Sequence, residues 1–366
     1  MCIRDRLTEF QRVILGDAMD IHGGKAVTLG PRNYLGIGYS ANPVAITVEG
    51  ANIMTRNLMI FGQGAIRCHP YVLEELAAKD ADDIQAFDRA FFGHAGLIFG
   101  NAARAFTQGL GIGKPAVPFD GEAQRYAQEI ARLSAGFGLC ADAAMASLGA
   151  TLKLREMLSA RLGDVLSNLY LASMVLKQWH EGDKVEGESA LLHYSCQLLL
   201  GRAEQALDEL FDNLPNRLLA GVLRRVVMPR GKRFKRPHDD LARSIAQAVS
   251  RDSALREKLL ANTWSADDGE QANPLAQYNA LLATQERAET LYRTVNKAYA
   301  KGELPAEALH PEQRVEAALE KGLISADDAT FMREREARVL ELLSVDDFAY
   351  DAFVTDKARV LRHHAA

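Results

Sequence analysis

Apolar residues recur at steps of three and four along most of the chain. Leu154, Leu158, Leu162, Leu166, Leu169 and Met174 form one such run, and Leu191, Tyr194, Leu198, Ala203, Leu207 and Leu210 form another. That spacing lines one face of a helix, so long packed helices are predicted over both stretches. Helix starts are marked by Asn213 ahead of Pro215 and by Ser325 with Asp328 three residues on. No stretch shows the repeated alternation of a β-sandwich or a βαβ unit, and the predicted class is all-α.

Glycine and proline punctuate this pattern. Gly23, Gly24, Gly30, Gly36 and Gly38 with Pro31 and Pro43 predict an irregular but ordered loop between two helices. Further breaks fall at Gly109–Pro118, Pro229–Pro237 and Gly269–Pro274. A seam is expected near Arg67–Pro70, dividing residues 7–67 from a continuous helical array over 68–366. Residues 1–6 (MCIRDR) lack the apolar core and cleavage site of a signal peptide. They read as an artefactual leader, which leaves Cys2 without meaning. From Leu133 to Leu152 the only charge is Asp142, and twenty residues suffice to span a bilayer. A central Asp costs about 2.5–3.5 kcal/mol on insertion scales, and the glycines and serines dilute the hydrophobicity, which favours a buried helix of a soluble protein.

Composition narrows the function. With 366 residues there is bulk for a real core and a prior of two domains, and 7% aromatics among many Ala, Leu, Glu and Arg favour helix. A net charge of −5 supplies no global field for nucleic acid. Cys2, Cys68, Cys140 and Cys196 are far apart, and no His-Glu-x-x-His spacing occurs, so neither disulfides nor a metal site is predicted and a reducing cytoplasm fits. The run Gly109-Leu-Gly-Ile-Gly-Lys114 lacks phosphate-loop spacing and reads as a helix connection. Cys68-His69, without a neighbouring acid or second ligand in sequence, reads as core or cap.

Two features carry candidate chemistry. Glu49 sits among Ala45, Ile46, Val48, Ile53 and Met54, apolar surroundings that would desolvate a carboxylate and raise it towards a useful base. Between Asn216 and Pro237 there are eight basic residues and no acid, and the apolar face of Leu218, Leu219, Val222, Leu223 and Val226 precedes the basic loop. Such a segment suits an anionic membrane surface, the phosphates of CoA, an acidic partner, or plain packing with a solvated loop. Nucleic acid is disfavoured, because Phe234 is the single aromatic among these charges.

The segments Asp20-Ile21-His22-Gly23-Gly24 and Glu49-Gly50-Ala51-Asn52-Ile53-Met54-Thr55-Arg56 resemble, in order and spacing, the Gln-x-x-Gly-Gly and Glu-Gly-Thr-x-x-x-x-Arg motifs of the acyl-CoA dehydrogenases. Asp20 stands where that family usually has Gln, and Ala51 where it has Thr. The wording IHGGKAVTLGPRNYLG and VEGANIMTRNLMIFGQGAIRCHPYVLEE with the helical tail is similar to the large bacterial, FadE-type branch over residues 7 to about 362. The resemblance implies the family's C-terminal helical domain over 7–67 and a further helical bundle over 68–366. It implies FAD as cofactor, near Asp20, Ile21, His22, Gly23, Gly24, Ala51, Asn52 and Ile53. Glu49 would be the base that removes the α-proton of a fatty acyl-CoA, with Gly50 letting the substrate pass close to the backbone. The implied reaction is oxidation to trans-2-enoyl-CoA in fatty-acid β-oxidation, with electron-transfer flavoprotein as electron acceptor and a homo-oligomeric assembly. The family also needs an N-terminal helical domain and a β-domain that these residues do not resemble, so the chain alone is expected to be inactive. The alternative is a non-catalytic helical module that binds a membrane surface or protein partner through residues 217–236. The expected location is cytoplasmic, with peripheral contact at the inner membrane through that segment.

Overall fold

A computed structural model describes residues 4–48, 51–263 and 274–349, without the side chains of 61–63. Among the described residues every regular element is a helix, in agreement with the all-α expectation. In chain order these are α1 (Arg4–His22), α2 (Gly24–Val27), α3 (Gly36–Thr47), α4 (Asn52–Met54), a π-helical stretch (Thr55–Gly64), α5 (Ala65–Cys68), α6 (Val72–Asp80) and α7 (Ile84–Gly109). There follow α8 (Gly121–Leu148), a 3₁₀ turn (Gly149–Leu154), α9 (Glu156–Glu181), α10 (Glu188–Asn213), α11 (Arg217–Val227) and α12 (Asp239–Val249). The last are α13 (Ala254–Leu260), α14 (Pro274–Ala283), α15 (Gln285–Ala300), α16 (Pro311–Glu320) and α17 (Ala326–Leu343). The chain divides into two compact units, residues 1–10 with 43–249, and residues 11–42 with 250–366.

The core of the first unit is the set α8, α9 and α10. Leu162, Val165, Leu169, Ala172 and Leu176 of α9 meet Leu192, Cys196, Leu199, Leu200, Ala203 and Leu207 of α10, all buried. Each fully buried Leu or Val contributes about 1.5–3 kcal/mol relative to exposure. Helix α8 adds Tyr126, Leu133 and Leu139 to this core, and its small residues Ala123, Ala127, Gly136, Cys140 and Ala144 let its neighbours come close. A Cβ at Gly136 would lie 2.5 Å from Cγ1 of Val227, so α11 packs where only glycine fits. The stretch Gly121–Leu154 is long and apolar enough to cross a membrane. Its Tyr126, Arg132 and Asp142 are nevertheless buried against other helices, which is the behaviour of a core helix.

The second unit has a smaller core, Val295 and Ala298 of α15, Val315 and Ala318 of α16, and Ala329 and Met332 of α17. Ser325 starts α17 as its spacing predicts, its Oγ accepting the N–H of Asp328 at 3.1 Å. Lys25 is buried, donating to the Leu342 carbonyl with its ammonium over the rings of Tyr34 and Tyr278.

Two local expectations change. The glycine- and proline-rich segment is not wholly irregular, because Gly36–Thr47 is helical with Pro43 inside. Asn33 makes this possible: its Oδ1 accepts the N–H groups of Leu35 and Gly36 at 3.1 and 2.8 Å and starts the helix. The cap of α11 is Asn216, whose Oδ1 accepts from Leu219 N at 3.1 Å, and not Asn213. Asn213 completes the last turn of α10, donating to the Glu209 carbonyl, and Pro215 lies in the link between the two helices.

Candidate functional site

The sequence-predicted site residues fall in both units. Glu49 and Gly50 lie outside the described residues. Asp20 and Ile21 are exposed near the C-terminal end of α1, Ile21 at 82%. His22 closes that helix, its Nδ1 against the Ala18 carbonyl at 2.8 Å and its Nε2 against the Tyr34 hydroxyl. Gly23 has φ 55°, a left-handed conformation that favours glycine, and no heavy atom lies within 4 Å of where a Cβ would stand on it.

In the other segment Ala51 precedes α4, and Ile53 is 71% exposed. Asn52 is buried, and its Nδ2 donates to Thr8 Oγ1 at 2.7 Å and to the Asp5 carbonyl at 3.3 Å. Its side chain therefore ties α4 to the start of α1. Arg56 is held by Asp164 of α9, with Nε to Oδ1 at 2.6 Å, and Arg6 donates to the same carboxylate. That carboxylate holds the Arg56 guanidinium more firmly charged than usual. A Cβ on Gly163, beside Asp164, would stand 3.2 Å from the Arg56 carbonyl, so the π-helical stretch sits close on α9.

A site that sequence reasoning did not assemble lies in the first unit. His69, between α5 and α6, His94 of α7 and Asp142 of α8 bring one donor atom each within 4.8 Å of one another. His94 Nδ1 lies 2.8 Å from Glu75 Oε1 of α6, and His69 Nε2 lies 3.0 Å from Asp142 Oδ1. His69 Nδ1 accepts the backbone N–H groups of Tyr71 and Val72, both at 3.1 Å, which caps α6. The expected cap role is present, and it fixes the tautomer: with Nδ1 accepting, Nε2 carries the proton. A neutral His69 in that state is a hydrogen-bond donor and cannot ligate a metal through Nε2. Burial raises the Asp142 carboxyl above its usual range, and His69 and His94 offset part of that rise. Burial also pushes the Cys140 thiol upward, so it is an inert core residue.

His69, Asp142 and Asn101 are polar residues in the lining of a cavity of about 460 Å³. Its walls include Met59, Leu97, Phe137, Met145 and Leu166. A volume of this size is in the range of small-molecule pockets, and an apolar body with few polar groups is their usual make-up.

The basic segment spends much of its charge inside the fold. Arg224 pairs with Asp208 and Asp212, Lys232 with Asp208 at 3.3 Å, and Arg233 with Glu129. Arg233 also donates to the carbonyls of Gln108 and Gly109, which anchors the loop after α11 to the end of α7. Beneath it, Arg132 donates to Glu204 and Glu129, both at 2.6 Å, and the second Glu204 oxygen accepts the N–H groups of Arg233 and Phe234. The packed reading of this segment accounts for these contacts.

The class defined by these observations is a helical-bundle protein with a buried polar cluster, two members of which line a largely apolar cavity. A family model described as acyl-CoA dehydrogenase, C-terminal, bacterial type, matches residues 66–348. The match covers well over half of the chain, and the chain belongs to that family. Both motif segments carrying the predicted site residues precede the matched stretch. No solved structure matches the chain.

Proposed function

We propose that this chain is part of a FAD-dependent acyl-CoA dehydrogenase that oxidises saturated fatty acyl-CoA to trans-2-enoyl-CoA in fatty-acid β-oxidation. The observation that carries the reading is the family match over residues 66–348, to which the two motif segments ahead of it are joined in one chain. Exposed apolar side chains in and beside those segments support it. Val13, Ile14, Ile21, Leu29 and Ile37 in one unit, and Val44, Val48 and Ile53 in the other, are exposed apolar side chains. Such faces suit a cofactor, a substrate or further protein. The domain division that accompanies the reading is 7–67 as the end of the dehydrogenase helical domain and 68–366 as its extension.

Glu49 is the base in this proposal. An α-proton next to a thioester is weakly acidic, so the carboxylate must be poorly solvated, and the backbone N–H of Glu49 would donate to the thioester oxygen as charge develops there. Gly50 adds no side chain at the point where substrate passes. The open space around Gly23 at the end of α1 fits the close approach of a cofactor, and by the resemblance Gly24, Ala51 and Ile53 carry cofactor contacts as well. FAD, when bound, supplies the acceptor for the β-hydride. Fatty acyl-CoA, electron-transfer flavoprotein and a second copy of the chain are the partners that follow from the reading, and the cytoplasm is the location. In the full-length protein, Glu49→Gln should abolish enoyl-CoA formation while FAD remains bound at wild-type stoichiometry. Normal turnover in that variant would overturn the assignment.

A further inference from the structure

The His69–His94–Asp142 cluster contains none of the motif residues above, and the proposed reaction gives it no role. Three of its buried polar atoms, His69 Nε2, His94 Nε2 and Asp142 Oδ2, make no aligned hydrogen bond, although His69 Nε2 stands 3.0 Å from Asp142 Oδ1. Buried polar groups are nearly always paired, and an unpaired one costs about 1–3 kcal/mol, so three together mark a place where a further group belongs. Asp142 is 5% exposed and lines the 460 Å³ cavity with its polar neighbour His69.

The protonation of the cluster says what that group must be. His69 gives its Nδ1 lone pair to the N–H groups of Tyr71 and Val72, so its Nε2 offers a proton. Asp142 Oδ2 offers a lone pair. A head group that both donates and accepts satisfies the two at once, and a hydroxyl is the smallest that does. An alkylammonium would donate to Asp142 and leave the His69 N–H unmet. A carboxylate would meet the His69 N–H and face the Asp142 charge. A divalent cation would meet the His69 proton head on.

We infer that this cavity binds an elongated neutral amphiphile through a hydroxyl head, which donates to Asp142 Oδ2 and accepts from His69 Nε2–H while its alkyl body lies against Leu97, Phe137 and Met145. The ligand class is a medium-chain alcohol or a hydroxylated lipid of similar girth. No bond is made or broken in this step.

The test is calorimetric titration of the purified chain with 1-octanol, octyl methyl ether, octylamine and octanoate at neutral pH. Octanol is expected to saturate at one per chain, with octyl methyl ether, which cannot donate, weaker by about tenfold, the size of one net hydrogen bond. Asp142→Leu should bring octanol and the ether to the same affinity. Leu97→Trp, which puts a larger side chain at an apolar wall of the cavity, should abolish binding of both, with its helical circular dichroism retained. Equal affinity of octanol and the ether for the wild-type chain, tighter binding of octylamine or octanoate, unaltered binding in Leu97→Trp, or no saturable binding would each overturn the inference. None of these readouts depends on FAD, Glu49 or dehydrogenation.

Discussion

Arg132 and Asp142 stand on the same helix, are both at most 5% exposed, and meet opposite surroundings. Around Arg132 the accounting closes. Its guanidinium donates to Glu129, to Glu204 and to the Val227 carbonyl at 3.3 Å, and Glu204 spends its other oxygen on two backbone N–H groups. Around Asp142 it does not close, because Oδ2 has no partner, His94 Nε2 lies 3.8 Å from Oδ1, and His69 Nε2 approaches Oδ1 to 3.0 Å without an aligned hydrogen bond. Two buried charges ten residues apart, about 15 Å of helix rise, therefore have different work. A closed network holds helices in register, whereas an open one at a cavity wall waits for a ligand.

The sharpest way to break this contrast is at its closed end. Glu204→Ala leaves Arg132 buried with one partner fewer and two loop N–H groups without an acceptor. Breaking a buried pair in this way costs about 3–5 kcal/mol. Urea denaturation should show that loss as a lowered midpoint with an unchanged slope. The double variant Arg132→Met with Glu204→Leu removes both charges and should recover most of it, since replacing a whole buried pair by apolar groups is often neutral. A double variant as unstable as Glu204→Ala would mean that the network contributes more than the pairing of its charges.

A smaller effect is expected at the rim of the same network. Arg233 is about a quarter exposed, pairs with Glu129 and donates to two carbonyls at the end of α7. Solvent screening reduces the ion pair, so Arg233→Ala should cost about 1–2 kcal/mol, chiefly from the lost carbonyl contacts. Thermal melts of the variant in low and high salt check the division. A loss that vanishes in high salt would assign it to the ion pair instead.

What could be read from sequence follows the range over which each signal acts. The apolar steps of α9 and α10 are local, and both helices appear where the spacing puts them, as does the Ser325 cap. The start at Asn216 was missed because Asn and Pro signals stand close together, and only tertiary packing decides where α10 stops. Asp142 was visible as a lone charge in an apolar stretch, and His69 as a cap. Their meeting was not, because α7 brings in His94 and α8 brings in Asp142 from far along the chain. A polar residue on an otherwise apolar helix face was the available signal, and it does not name its partner. The reverse holds for Glu49 and the Gly23–Gly24 pair, whose significance lies in spacing and family likeness.

The smallest expected effect lies at the open end of the contrast, and there its sign with pH is decisive. The groups facing Asp142 are His69 from the α5–α6 link and His94 from α7, with Glu75 of α6 behind His94 and Cys140 on α8 itself. Burial raises the folded-state pKa of Asp142 above its unfolded value, near 3.9 for a free Asp. Below both values the carboxyl is neutral folded and unfolded, and the site costs nothing on this account. As pH rises through the unfolded value the unfolded chain ionises first, and the penalty on folding grows until the folded carboxyl has ionised too and stays constant above that pH. Asp142→Asn keeps the shape and removes that ionisation. Its melting temperature should therefore exceed that of the wild-type chain at pH 7, and the gap should close as pH falls towards 4. A gap that is constant across this range, or a variant less stable at pH 7 than at pH 4 relative to wild type, would show that the two histidines satisfy Asp142 as fully as Glu204 satisfies Arg132. The difference between the two ends of α8 would then disappear.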